Sequence, residues 1–82
     1  MRKYNYDYSK LRGRIREKLN TEKEFAGRLG RSIGYVSQIF NNAGQFTQMD
    51  ILKAIDILEI DPKDVTAYFF TLEVHKSGTG TV

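Results

Sequence analysis

The chain has 82 residues, 40% of them hydrophobic and 28% charged, enough for one domain with its own core but not for a sizeable ligand cavity, so an enzyme built round a deep pocket is disfavoured. It has no cysteine, which excludes a disulfide framework and a thiolate metal site. No apolar run approaches the roughly 20 residues that span a bilayer, and the N-terminal MRKYNYDYSK lacks the apolar centre of a signal peptide, so the expected setting is soluble and cytoplasmic.

The net charge of +3 conceals an asymmetry. Residues 1–31 hold ten Lys/Arg against four Asp/Glu, a net of +6, whereas residues 32–82 hold three against six, a net of −3. Clustered cations release counterions when they meet phosphates, so the basic end reads either as a face for a polyanion or as a solvated helix with no partner.

Tyr8, Leu11, Ile15 and Leu19 recur at helical spacing among Lys10, Arg12, Arg14, Arg16 and Lys18, which predicts an amphipathic first helix with Asp7 or Ser9 at its start. Gly13 within it suggests close packing against a neighbour. Thr21 followed by Glu24 reads as a capping box for a second helix with Phe25, Ala26 and Leu29 inward, ended by Gly30. Ser32 then caps a third helix whose inner face is Val36, Ile39 and Phe40, and Asn41-Asn42 closes it. After the loop NNAGQF, Thr47 and Asp50 form another cap-like pair before a fourth helix, with Ile51, Leu52, Ile55 and Leu58 expected as the central pillar of the core. Asp61 and Pro62 open a fifth segment carrying Val65, Tyr68, Phe69 and Phe70. TLEV alternates like a strand, and HKSGTGTV reads as a flexible tail.

Two helices joined by a short turn containing Gly, the second with a polar outer edge, form the helix-turn-helix pattern. The elements Phe25-Ala26, Leu29-Gly30, Ser32, Val36-Ser37, Asn41 and the apolar helix over 51–58 together resemble the phage repressor and Cro-like helix-turn-helix family. YSKLRGRI before them and AYFFTLEVHK after them are similar to a subgroup of small repressor-like proteins of Gram-positive phages and prophages. The resemblance implies an all-α fold: a five-helix repressor/Cro-like domain over residues 8–72, with scope for a short C-terminal strand, between an arm over 1–7 and a tail over 73–82. It departs from the family pattern at Glu22, where Gln is usual, at Ile33 and Gly34, where polar base readers are common, and at Asn42 in place of Gly.

The resemblance further implies a transcriptional regulator that binds a double-stranded DNA operator as a homodimer, with residues 32–41 in the major groove. Gln38 is the leading base reader, and Ile33, Gly34, Tyr35 and Ser37 share its outer face; Ile33 suits a thymine methyl. Ser32, Arg31, Arg28, Lys23, Asn41 and Asn42 are candidates for phosphate contact, although Ser32 and Asn41 also serve as caps. Tyr68, Phe69, Phe70, Leu72 and Val74 are candidates for a dimer contact, some of them for the core.

The competing reading is a protein-binding helical module, an anti-repressor or antitoxin-type partner that keeps the scaffold without reading DNA. Glu22, Ile33 and Gly34 favour it. A small hydrolase needs a nucleophile, a base and an orienting group, and His75 alone does not supply them. No cofactor, metal or small-molecule substrate is expected, and Gly78 and Gly80 lack the strand-turn-helix context of a dinucleotide site.

Overall fold

The four-residue spacing of Leu11, Ile15 and Leu19 forms α1 (Ser9–Leu19) in the computed structural model, which describes residues 5–73. Leu11 and Ile15 are buried, and the Asp7 carboxylate accepts from the Ser9 N–H at 2.9 Å and from its hydroxyl at 2.6 Å, fixing the entry to the helix. Gly13 does not serve close packing. It is exposed, and a methyl group added there would meet nothing within 4 Å. Gly13→Ala is therefore expected to stabilise the protein by about 0.5–1 kcal/mol through helix propensity, read as a higher urea midpoint; a lower midpoint would contradict the open surface.

In α2 (Glu22–Leu29) the Thr21 hydroxyl accepts from the Glu24 N–H, but the Glu24 carboxylate takes Arg28 Nε at 3.0 Å instead of returning the bond, so only half of the expected capping box forms. Phe25, Ala26 and Leu29 are buried, and Gly30 turns the chain at φ 79°, a left-handed conformation open to glycine. In α3 (Ile33–Phe40) the Ser32 hydroxyl accepts from the Tyr35 N–H at 3.1 Å, with Val36, Ile39 and Phe40 buried. Asn42, at φ 61°, leads the chain out.

The fourth helix, α4 (Gln48–Leu58), is rotated from expectation. Its buried stripe is Asp50, Ala54 and Leu58, whereas Ile51 and Ile55 are half-buried and Leu52 is 58% exposed. The cause lies at its start, where Thr47 and Asp50 form a complete capping box. Asp50 also faces α2 and α3, so residues four and eight later follow it inward, and Leu52, two residues on, is carried to the far side.

A 3₁₀ turn, Pro62–Asp64, capped by Asp61, leads into α5 (Val65–Phe69). Phe69 is 2% exposed and packs edge-on against Phe46 at 5.8 Å; Phe46 in turn meets Phe40 at 6.0 Å and Tyr8 at 5.9 Å. These four rings bind the arm, α3, the loop and α5 into the core.

The expected strand is reduced to a single antiparallel bridge, Tyr6 to Leu72, closed by Asp7 N–H to Thr71 C=O at 2.7 Å and Glu73 N–H to Asn5 C=O at 2.8 Å. The segment thus pairs with the beginning of its own chain. On the other side of Tyr6, the Asn42 side chain accepts from its N–H at 2.8 Å and donates to its carbonyl at 3.0 Å, much as a neighbouring strand would. The all-α, five-helix fold is otherwise as expected, and no helix among the described residues is long and apolar enough to cross a membrane.

Candidate functional site

The basic character of α1 serves the fold to a large extent. Arg14 donates from Nε to the Leu58 carbonyl at 3.0 Å and from Nη2 to the Glu59 carbonyl at 2.9 Å, satisfying the end of α4. Lys18 pairs with Glu59 at 3.1 Å, Lys10 lies over the Tyr68 ring at 4.9 Å, and Arg12 pairs with Glu22 at 2.8 Å while covering the Phe40 ring. The departure at Glu22 is thereby explained: it anchors α1 to α2.

Around the turn between α2 and α3 the formal charges balance, and two of the three cations are paired there. Residues 20–50 contain three cations, Lys23, Arg28 and Arg31, and three carboxylates, Glu22, Glu24 and Asp50, for a net of zero. Arg28 pairs with Glu24 at 3.0 Å, both about half exposed. Arg31 donates from Nε to Asp50 Oδ1 at 3.0 Å and stacks over the Tyr35 ring at 4.5 Å. The Tyr35 hydroxyl donates to Asp50 Oδ2 at 2.6 Å. Lys23 is exposed and makes no ion pair among the described residues.

Asp50 is the centre of this network and 1% exposed. Burial pushes its carboxyl up, but the hydrogen bonds from Tyr35, the Thr47 backbone, Arg31 and the Thr47 side chain outweigh burial and hold it below the usual value. Hydrogen bonding to the same carboxylate raises both the Tyr35 hydroxyl and the Arg31 guanidinium above their ordinary values. The sequence suggested Asp50 only as a cap; nothing local pairs it with Arg31, 19 residues earlier.

The expected site residues thus separate. Ile33, at 44% exposed, stands out at the beginning of α3, and Gly34, Gln38 and Asn41 are exposed beside it, with Ser37 half-buried. Ser32 has its hydroxyl in the cap. Tyr35 spends its hydroxyl on Asp50, Arg31 spends its Nε there while its side chain stays 39% exposed, and Asn42 spends both amide atoms on Tyr6.

Among the proposed dimer residues, Phe69 lies in the core and Tyr68 is half-buried, whereas Phe70 and Leu72 are nearly half exposed. Val74, His75, Gly78 and Gly80 lie outside the described residues. Tyr6 and Phe46, to which the sequence reading gave no role, line with Ile51 and Phe70 a shallow hollow of about 50 Å³, room for one side chain at most.

This is a small helical protein that exposes the front of α3, with no net charge over residues 20–50. The chain belongs to the family described as "Protein of unknown function (DUF739)", which matches residues 4–72. It is similar to the modulator of repression (MOR) of the temperate bacteriophage TP901-1 from Lactococcus lactis, whose solution structure superimposes with a TM-score of 0.72 at 42% identity, over 87% of this chain and 96% of that one. No curated protein matches the sequence.

Proposed function

We propose that this protein is a phage regulatory protein that alters repression by binding a repressor protein in the bacterial cytoplasm, and that it does not itself read an operator. The observation that carries this reading is the neutral surround of α3: Arg28 and Arg31 are paired with carboxylates, while an isoleucine and a glycine occupy the front of the helix. Phosphate contacts supply most of the affinity of a DNA-binding module, and here two of the three cations near the turn, Arg28 and Arg31, are paired, leaving Lys23. An exposed branched apolar side chain beside an open glycine suits a protein surface better.

Met49, also exposed, precedes Asp50, which the Tyr35 hydroxyl ties to the first turn of α3, so a second exposed apolar residue adjoins that end of the helix pair. The similarity to a 42% identical protein named a modulator of repression supports the same reading. A twofold dimer, the usual arrangement for reading a palindromic operator, is not needed for a one-to-one protein contact.

The test uses the repressor encoded in the genome that carries this chain, bound to its labelled operator duplex. Adding the protein is expected to change operator occupancy, while the protein alone leaves the duplex unretarded at about 10 μM, and Ile33→Asp raises the concentration required roughly tenfold or more. Enrichment of an inverted repeat from a random duplex library by the protein alone would return the reading to operator binding.

A further inference from the structure

We infer that the carboxylates of Asp50 and Glu24 are specificity determinants that withhold Arg31 and Arg28 from nucleic-acid phosphate and so reserve the α2–α3 face for a protein. The inference rests on the protein-contact reading above and supplies its negative half, the means by which a scaffold of DNA-binding shape is kept off DNA.

The two pairs differ in strength. Glu24 and Arg28 are both about half exposed, on successive turns of one helix, where such a pair is worth only a few tenths of a kcal/mol and opens readily. Asp50 cannot follow Arg31 outward. One of its oxygens accepts from both the Thr47 N–H at 3.1 Å and the Tyr35 hydroxyl at 2.6 Å, and its other oxygen faces Arg31. A phosphate approaching Arg31 therefore meets a guanidinium whose charge is cancelled by a fixed carboxylate. Only the terminal N–H groups of Arg31, 39% exposed, are left to such a phosphate, and the guanidinium that carries them is held by Asp50 and the Tyr35 ring. Arg31 lies in the turn, the part of a helix-turn-helix that flanks the phosphate backbone when the second helix enters a groove, so this cancellation falls where it matters most.

The experiment measures binding to a 20-base-pair duplex of arbitrary sequence at several salt concentrations. Asp50→Asn is made in the Gly13→Ala background, whose added helix stability offsets part of the loss, and its fold is checked by circular dichroism. It is expected to bind roughly tenfold tighter at low salt than the Gly13→Ala parent, with the slope of log K against log[salt] steeper by about 0.9, one added phosphate contact. Adding Arg31→Gln is expected to abolish the gain. Asp56→Asn, which removes an exposed carboxylate elsewhere on α4, is expected to give none.

Glu24→Gln, at the surface and without risk to the fold, is expected to give a smaller gain of about twofold that depends on Arg28. A folded Asp50→Asn that binds no better than its parent, or whose gain survives loss of Arg31, overturns the inference. Should Asp50→Asn fail to fold, unchanged binding by Glu24→Gln overturns it. Wild-type protein that selects a sequence from a random library refutes the protein-contact reading itself, a result distinct from either.

Discussion

Asp50→Ala is expected to lower stability by about 3 kcal/mol, as the sum of a lost half of the capping box and lost charge-assisted hydrogen bonds from Tyr35 and Arg31. The side chain joins three elements: it closes the capping box of α4, receives the Tyr35 hydroxyl from α3, and receives Arg31 from the turn. Its removal leaves Arg31 stacked on a ring with no counter-charge and the first turn of α4 with an unsatisfied donor at Thr47.

The pH dependence follows from the lowered carboxyl. A folded value depressed below the unfolded value of about 3.9 stabilises the protein fully above the unfolded value, and that contribution is lost as the pH falls through the folded one. The stability gap between wild type and Asp50→Asn should therefore be constant from pH 7 to 5 and narrow in acid below about pH 4. Urea titrations at four pH values check it. A gap already closing near pH 6 would mean that the carboxyl is not held in the charged form by its partners.

The second large effect is expected at Phe69. Truncation to alanine should cost about 3 kcal/mol or more, because the ring is 2% exposed and bears edge-on against Phe46, so its loss opens a void between the loop and α5. Its neighbour behaves differently. Phe70 is 46% exposed and touches Tyr6 edge-on at 6.1 Å, so Phe70→Ala should cost about 1 kcal/mol or less. Thermal denaturation of the pair separates them, and equal losses would show that the two rings share the core.

Periodicity placed Leu11, Ile15, Phe25, Ala26, Leu29, Val36, Ile39 and Phe40 inward, because each helix there buries one stripe and the spacing records it. Gly30, Ser32 and Thr47 were legible as ends and caps for a local reason: their effects act within four residues.

What local spacing could not reveal was the rotation of α4, since beyond its local capping box Asp50 is also bonded by Arg31 and Tyr35, and neither lies nearby in sequence. Three consecutive aromatics, Tyr68, Phe69 and Phe70, likewise carry no mark of which ring faces inward on so short a helix; Phe46 and Tyr8 decide it. At the candidate site, the outward position of Ile33 and Gln38 was readable, whereas the withdrawal of Arg31 and Asn42 into contacts with Asp50 and Tyr6 was not.

Arg14 has a consequence for how the chain reaches this state. Its guanidinium completes the last carbonyls of a helix 44 and 45 residues away, so the closing turn of α4 is finished only when the first helix has already docked. A fragment beginning after Leu19 would leave that turn frayed, and nascent polypeptide still lacking residues 48–58 would leave Arg14 only its pair with Glu17. Assembly is thereby driven toward a single concerted event, with few half-built species persisting along the way.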